Sequence, residues 1–382
     1  VIQIALYDCG KFPAVHDEQR LILSRGLVGD PDRIHPDKGN IQERSKSFFH
    51  GSPFGIRLPT LKKGTRSPDW NSPGSCLMIV PIILFVIGLV LLLKGGSFTV
   101  RGAEGLALRL GVAPATIGFT IVAFGTSLPE LVVTTEAFSR GEAGIGFGNI
   151  VGSNIANIGL ILGLIALLRL LSCSTSPSSR KNSSMSILMV LLGTAVFVLF
   201  SLRGVLDTLS GVVFLGLFSL ILFSTWKSGP EPDPPGDPAA RPLLLTIAGL
   251  ASVIIGSHLL LTGAVEIALA FSISPLVIGL SLVAVGTSLP ELATSLVAAM
   301  KNSQGIALGN VLGSNIFNLL FIGGINSLAT SIPIPDQGSL IALSLFTAGL
   351  VPFLLWRPAI TRIAGGALLG AYILYITLLF LG

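Results

Sequence analysis

Two glutamates in this chain stand where a carboxylate is expensive. Glu130 and Glu291 each follow a proline in a Gly-Thr-Ser-Leu-Pro-Glu run, at 125–130 and 286–291, and each run lies inside a long apolar stretch. An acidic side chain at membrane depth costs several kcal/mol unless it is paired or hydrated, so it marks a functional site by default. Together the two carboxylates offer up to about four hard oxygens and two negative charges. That donor set suits a cation such as Ca2+, which takes many oxygen ligands, better than a soft metal. No Cys or His lies beside either run, which argues against zinc or copper.

The neighbouring residues extend the donor set. Proline has no N–H and clashes with the carbonyl four residues back, here Gly125 and Gly286, so each helix is predicted to break at Pro129 and Pro290. Freed carbonyls inside a membrane need partners, and a bound cation is a suitable one. Thr126, Ser127, Thr287 and Ser288 place hydroxyls beside the two breaks. A second repeated block supplies Ser153 with Asn157 and Ser314 with Asn318; the i, i+4 spacing puts each pair on one helix face. Asn154 and Asn315 rank lower, as helix caps or bridges. Gly148, Gly152, Gly309 and Gly313 recur at four-residue spacing and are read as close-packing positions.

These residues must be positioned by membrane helices. Of 382 residues, 51% are hydrophobic and only 11% charged, and the mean hydropathy is +0.82. A soluble domain carries roughly 25% charged residues, so an ordinary soluble enzyme, a disordered chain and a nucleic-acid binder are excluded. Three cysteines, Cys9, Cys76 and Cys173, form no disulfide framework and no zinc signature. The charge is uneven. Residues 1–75 hold 11 Lys/Arg and 8 Asp/Glu, and the remaining 307 residues hold 13 and 11. From residue 76 onward, apolar runs close to a bilayer's width follow one another. Ten spans are predicted, at 77–98, 112–138, 145–170, 185–202, 206–226, 242–264, 273–299, 306–328, 339–356 and 362–381. The organisation expected is a polar tail at 1–75, a five-helix unit at 76–228, a Pro-rich linker at 229–241 and a second five-helix unit at 242–382.

The two units are related. Residues 112–163 align without a gap to 273–324 at an offset of 161, and nearly half of these 52 positions are identical. Five is odd, so the second copy enters the bilayer from the opposite side. The fold class expected is an all-α integral membrane protein of ten transmembrane helices in two inverted five-helix repeats, the architecture of a secondary transporter with a central site. Lys/Arg counts agree: eleven fall on one set of loops and two, Arg140 and Arg203, on the other. The positive-inside rule then places both ends of the membrane body outside and the linker in the cytoplasm. A tail with 11 basic residues would have to cross the membrane first. It is therefore expected to be disordered or absent from the mature protein, with translation beginning at Met78.

The paired Gly-Thr-Ser-Leu-Pro-Glu and Gly-Ser-Asn-Ile-x-Asn blocks resemble the α-repeats of Na+/Ca2+ exchangers of the Ca2+:cation antiporter superfamily, in the prokaryotic form with two repeats. The likeness covers about 78–382. It implies that the four central helices form the ion site and that the first and sixth spans slide against them. It implies Glu130 and Glu291 as central acidic ligands, with hydroxyl ligands at Thr126, Ser127, Thr287, Ser288, Ser153 and Ser314. Backbone carbonyls of Ala123 and Ala284 and the flanking Asn157 and Asn318 complete the implied set. Some prokaryotic and K+-dependent relatives carry Asp where this chain has Asn318, which lowers the fixed charge and disfavours K+ co-transport.

The function expected is Na+/Ca2+ antiport by alternating access, exporting Ca2+ across the cell (inner) membrane. No catalytic residue and no cofactor are expected; the transported ions are the partners, with the bilayer and no nucleic acid. The alternatives are H+-coupled cation exchange, a cation channel and an intramembrane hydrolase. A nucleotide-driven pump is disfavoured because the chain has no phosphate-binding Gly-rich loop.

Overall fold

The computed structural model describes residues 75–168, 177–226, 240–271, 286–355 and 358–381. The tail and most of the Pro-rich linker fall outside them. Among the described residues the protein is helical apart from one two-residue strand pair.

The first helix, α1 (Ser75–Leu110), is longer than predicted. It does not stop at residue 98 because nothing in the sequence ends it until Gly111, which turns left-handed at φ +64. Val112 N–H then bonds back to the Ala107 carbonyl at 3.1 Å, the Schellman stop that glycine permits. Arg101, Glu104 and Arg109 therefore ride on α1 rather than in a loop.

α2 (Pro114–Thr126) and α3 (Leu128–Ser139) form one span bent by 46°. The bend sits at Ser127 (φ −88, ψ 7), two residues before Pro129, so the proline occupies the first turn of α3, where its missing N–H costs nothing. α4 (Ala143–Leu167) follows, then α5 (Pro177–Ser201), α6 (Thr208–Trp226) and α7 (Pro242–Ala270). α8 (Leu289–Met300) begins after the second break, at Ser288 (φ −89, ψ 6). α9 (Gln304–Ala329), α10 (Gly338–Ala348, continued by a 3-10 turn at Val351–Leu355) and α11 (Pro358–Leu381) complete the chain.

Seven of these helices are long and apolar enough to cross a membrane, and the α2–α3 pair makes eight. Two shorter apolar helices, α8 and the stretch Gly338–Leu354, stand where the seventh and ninth spans are expected.

The core lies between the repeated helices. α9 packs against α2 and α8, and α4 packs against α3 and α11. Glycine makes the α9–α2 contact possible: a Cβ at Gly313 would lie 2.2 Å from the Phe119 carbonyl oxygen, and one at Gly309 would lie 2.5 Å from that of Ala115. α4 and α9 are buried along 78% and 89% of their apolar length, against 22% for α1, so the second block of each repeat forms the centre and α1 lies at the periphery. α1 and α7 run antiparallel in backbone contact. Gly88 meets Gly256 and Leu260, Gly95 meets Ser252, and Gly102 meets Thr246.

β1 (Val205–Leu206) and β2 (Ile332–Pro333) pair antiparallel, Val205 with Pro333 and Leu206 with Ile332. The Arg109 guanidinium donates to the Ala240 carbonyl at 2.6 Å. Each contact joins segments that the charge pattern expects on a common side.

Candidate functional site

Both helix breaks lie in the buried centre, and the two glutamates follow them in the first turns of α3 and α8. Glu130 is 1% exposed and Glu291 fully buried. The first-turn position sets each carboxylate near the positive end of its own helix dipole. Ser127, three residues before Glu130, bonds to the Glu291 carboxylate, so the two breaks meet in one site rather than two. α7 lies across both breaks, with Leu250 against Gly125 and Leu261 against Gly286, an apolar cover on this polar centre.

Most of the residues singled out in the sequence are buried. Thr126, Ser127, Ser288, Ser153, Ser314, Asn157 and Asn318 are all buried, Thr287 is half-buried, and Ala123 is buried on the last turn before the first break. Ala284 lies outside the described residues. Ser127 Oγ donates to Glu291 Oε1 at 2.9 Å, so a hydroxyl of the first repeat meets the carboxylate of the second. The i, i+4 reading of α4 holds, since Asn157 N–H bonds to the Ser153 carbonyl.

Many donor atoms have nothing to bind. Both carboxylate oxygens of Glu130, Oε2 of Glu291, the hydroxyls of Ser288 and Ser314, and the amides of Asn157 and Asn318 are buried without a hydrogen-bond partner among the described residues. Each such group costs about 1–3 kcal/mol if left unsatisfied. Orphans this numerous, with carboxylate oxygens among them and oxygens in the majority, fit a cation as the missing partner. The Asn154 amide donates to the Ile150 carbonyl at 2.7 Å, within its own helix, while its Oδ1 and both amide atoms of Asn315 are also buried without a partner among the described residues.

Two features escaped sequence reasoning. α2, α4 and α9 each contain a π-helical segment, at Gly118–Val122, Asn157–Leu162 and Phe317–Ile322. Such segments often accompany functional sites. Here the one opening at Asn157 packs against α8, which carries Glu291, and the one holding Asn318 packs against α3, which carries Glu130. The other omission is the pair Asn149 and Asn310. The Asn149 amide donates to Thr134 Oγ1 at 2.8 Å and to the Glu130 carbonyl at 3.4 Å. Asn310 does the same with Ser295 Oγ and the Glu291 carbonyl, at 2.8 Å and 3.4 Å. Their recurrence at the 161-residue offset was the available signal.

Comparison with known proteins gives a consistent answer. The family model described as "Sodium/calcium exchanger protein" matches residues 80–227 and 241–381. The inner membrane protein YrbG of Escherichia coli is 31% identical over 326 residues, covering 79% of this chain and 98% of YrbG. The sodium/calcium exchanger MaX1 of Methanosarcina acetivorans is 29% identical over 356 residues, covering 80% of this chain and 99% of MaX1. The solved structure of the sodium-calcium exchanger NCX_Mj, soaked without Na+ and Ca2+, superposes with a TM-score of 0.69 at 37% identity, covering 79% of this chain and 99% of that one.

Proposed function

The chain belongs to the sodium/calcium exchanger family, and from that premise we propose that it exchanges Na+ for Ca2+ at the Glu130–Glu291 site, extruding Ca2+ by alternating access. Cation antiport is the family's activity, and it is transport rather than enzyme chemistry.

The observation that carries it is the pair of buried carboxylates at mirrored helix breaks, surrounded by oxygens without partners. We assign Glu130 and Glu291 as the charged ligands. Thr126, Thr287, Ser127, Ser288, Ser153, Ser314, Asn157 and Asn318 supply neutral oxygens, and Ala123 and Ala284 supply carbonyls. One Ca2+ neutralises the two carboxylates, and two Na+ do the same. A third Na+ leaves one net positive charge, which the membrane potential drives with about 2.3 kcal/mol per 100 mV. One set of oxygens cannot hold both loads, and that competition enforces exchange. An occupied, neutral site can pass through an apolar seal such as Leu250 and Leu261, whereas an empty site with two negative charges resists burial. The charge pattern supports an orientation with the linker in the cytoplasm.

The test is uptake of radiolabelled Ca2+ into proteoliposomes under an imposed Na+ gradient. Uptake that needs the Na+ gradient is the expected result. Uptake driven by a pH gradient without Na+ would overturn the coupling ion and leave cation antiport standing.

A further inference from the structure

The repeats share their sequence at the site but not their hydrogen bonds. What is shared is the brace: each asparagine amide, Asn149 or Asn310, ties α4 to α3 or α9 to α8 with the same two distances in both halves. What differs is every bond that crosses between repeats at the breaks. Thr126 Oγ1 donates to Asn310 Oδ1 at 3.1 Å, and Ser127 Oγ to Glu291 Oε1 at 2.9 Å. The symmetry mates of these bonds would be Thr287 to Asn149 and Ser288 to Glu130. Neither forms among the described residues; Ser288 Oγ and both oxygens of Glu130 are buried without a partner.

A chain with the same donors and acceptors in both halves has two equivalent ways to bond across the centre. It has adopted one of them. From this we infer that Asn149 and Asn310 are positioning residues whose two amide atoms act separately. Each Nδ2 holds its own glutamate helix in place throughout, while each Oδ1 receives the opposite repeat's threonine in only one of two states. Exchange of the Thr126–Asn310 bond for a Thr287–Asn149 bond, with Ser127–Glu291 giving way to Ser288–Glu130, then accompanies the change in which side of the membrane the site faces. An equal exchange of this kind keeps the two states close in energy, as a transporter that must visit both requires. The inference rests on the antiport reading above.

Its signature is opposite sign. Removing the donor at Thr126 weakens only the state seen here, and removing it at Thr287 weakens only the other, while both asparagine braces stay in place. The experiment is hydrogen–deuterium exchange on the purified full chain in nanodiscs without added Na+ or Ca2+, read as the ratio of uptake in peptides spanning 123–131 and 286–292. Thr126→Val, which preserves shape, is expected to shift that ratio by about fivefold, the worth of one net hydrogen bond, and Thr287→Val to shift it the other way. Thr126→Ala and Thr287→Ala are expected to reproduce the same two directions if a valine variant fails to fold, and Thr126→Ser, which keeps the hydroxyl, is expected to leave the ratio unchanged. Shifts of the same sign, or none, in folded variants would overturn the inference. Failure of the antiport reading has a different mark, the absence of Na+-dependent Ca2+ flux in the unmodified protein.

Discussion

The turn that joins the two site helices is built alike in both halves and anchored differently. Gly141 (φ +76) and Asn302 (φ +63) occupy the same left-handed position. The residues after them, Glu142 and Ser303, each send a backbone N–H to a carbonyl five residues back, Ala137 or Ala298, at 2.9 Å in both cases. Yet Arg140 forms an ion pair with Glu136 on its own helix, whereas Lys301 donates to Ser97 and Ser303 donates to Glu104, both on α1. Farther from the site the likeness fades. α5 is a helix of 25 residues, and its counterpart α10 is one of 11 followed by a 3-10 turn. Backbone geometry has stayed symmetric at the helices and turn that carry the repeated blocks and has diverged in the side-chain anchors and in the helices outside those blocks.

The sharpest way to break this comparison is at the carboxylates. If the halves contribute equally, Glu130→Gln and Glu291→Gln each lower Na+-driven Ca2+ flux by about 100-fold, the scale of ~3 kcal/mol lost with a buried charge interaction. Flux assays on both variants decide it. A variant that retains near-normal flux would show that one repeat carries the site and the other only its scaffold.

How much of this was legible depended on the range of the signal. The breaks at Ser127 and Ser288 followed from Pro129 and Pro290, because proline acts within one helical turn. The inverted repeat followed from an unbroken register. The braces did not, although Asn149 and Asn310 lay inside the repeated block: their partners Thr134 and Ser295 stand 15 residues away on another helix, and spacing along the chain cannot measure that distance. The π segments were hidden because an extra residue per turn leaves no mark on composition. Asp207 and Asp336 cap helix starts, through bonds that composition does not reveal. Asp207 accepts Ser210 N–H at 3.0 Å, and Asp336 accepts Gly338 N–H at 2.8 Å.

A second comparison sets packed glycines against free ones. Gly313→Ala pushes a methyl into the Phe119 backbone and is expected to destabilise by about 1–3 kcal/mol. Gly370 on α11 has nothing within 4 Å of a new Cβ. There Gly370→Ala is expected to be neutral or to stabilise by up to about 1 kcal/mol. Thermal unfolding of the purified variants measures both, and equal effects would remove the case for backbone contact between α9 and α2.

The turn itself offers a finer test. A β-branched side chain tolerates the left-handed region poorly, so Gly141→Val and Asn302→Val are each expected to cost about 1–2 kcal/mol. Asn302→Gly removes that strain and is expected to stay within about 0.5 kcal/mol of the unmodified protein. Matching costs at 141 and 302, from the same unfolding measurement, would show that the two turns obey one backbone requirement despite their different anchors.

The smallest effect expected lies where the repeats no longer correspond. Asp336 accepts the N–H groups of Gly338 and Ser339 at the start of α10, and these bonds hold its carboxyl below the usual carboxylate range. A depressed folded value means that the contribution to stability is complete above the unfolded carboxylate pKa of about 3.9 and is lost as the pH falls through the folded value. Asp336→Ala is therefore expected to cost about 1 kcal/mol at neutral pH, the worth of a helix cap, with the difference from the unmodified protein shrinking below about pH 4. Asp207 caps α6, which in the repeat alignment corresponds to α11 and not to α10. A similar acid-dependent loss in Asp207→Ala would show that the two halves solved the same local problem, unsatisfied N–H groups at a helix start, at unrelated positions. A loss independent of pH at either residue would assign its role to packing rather than to the charged cap.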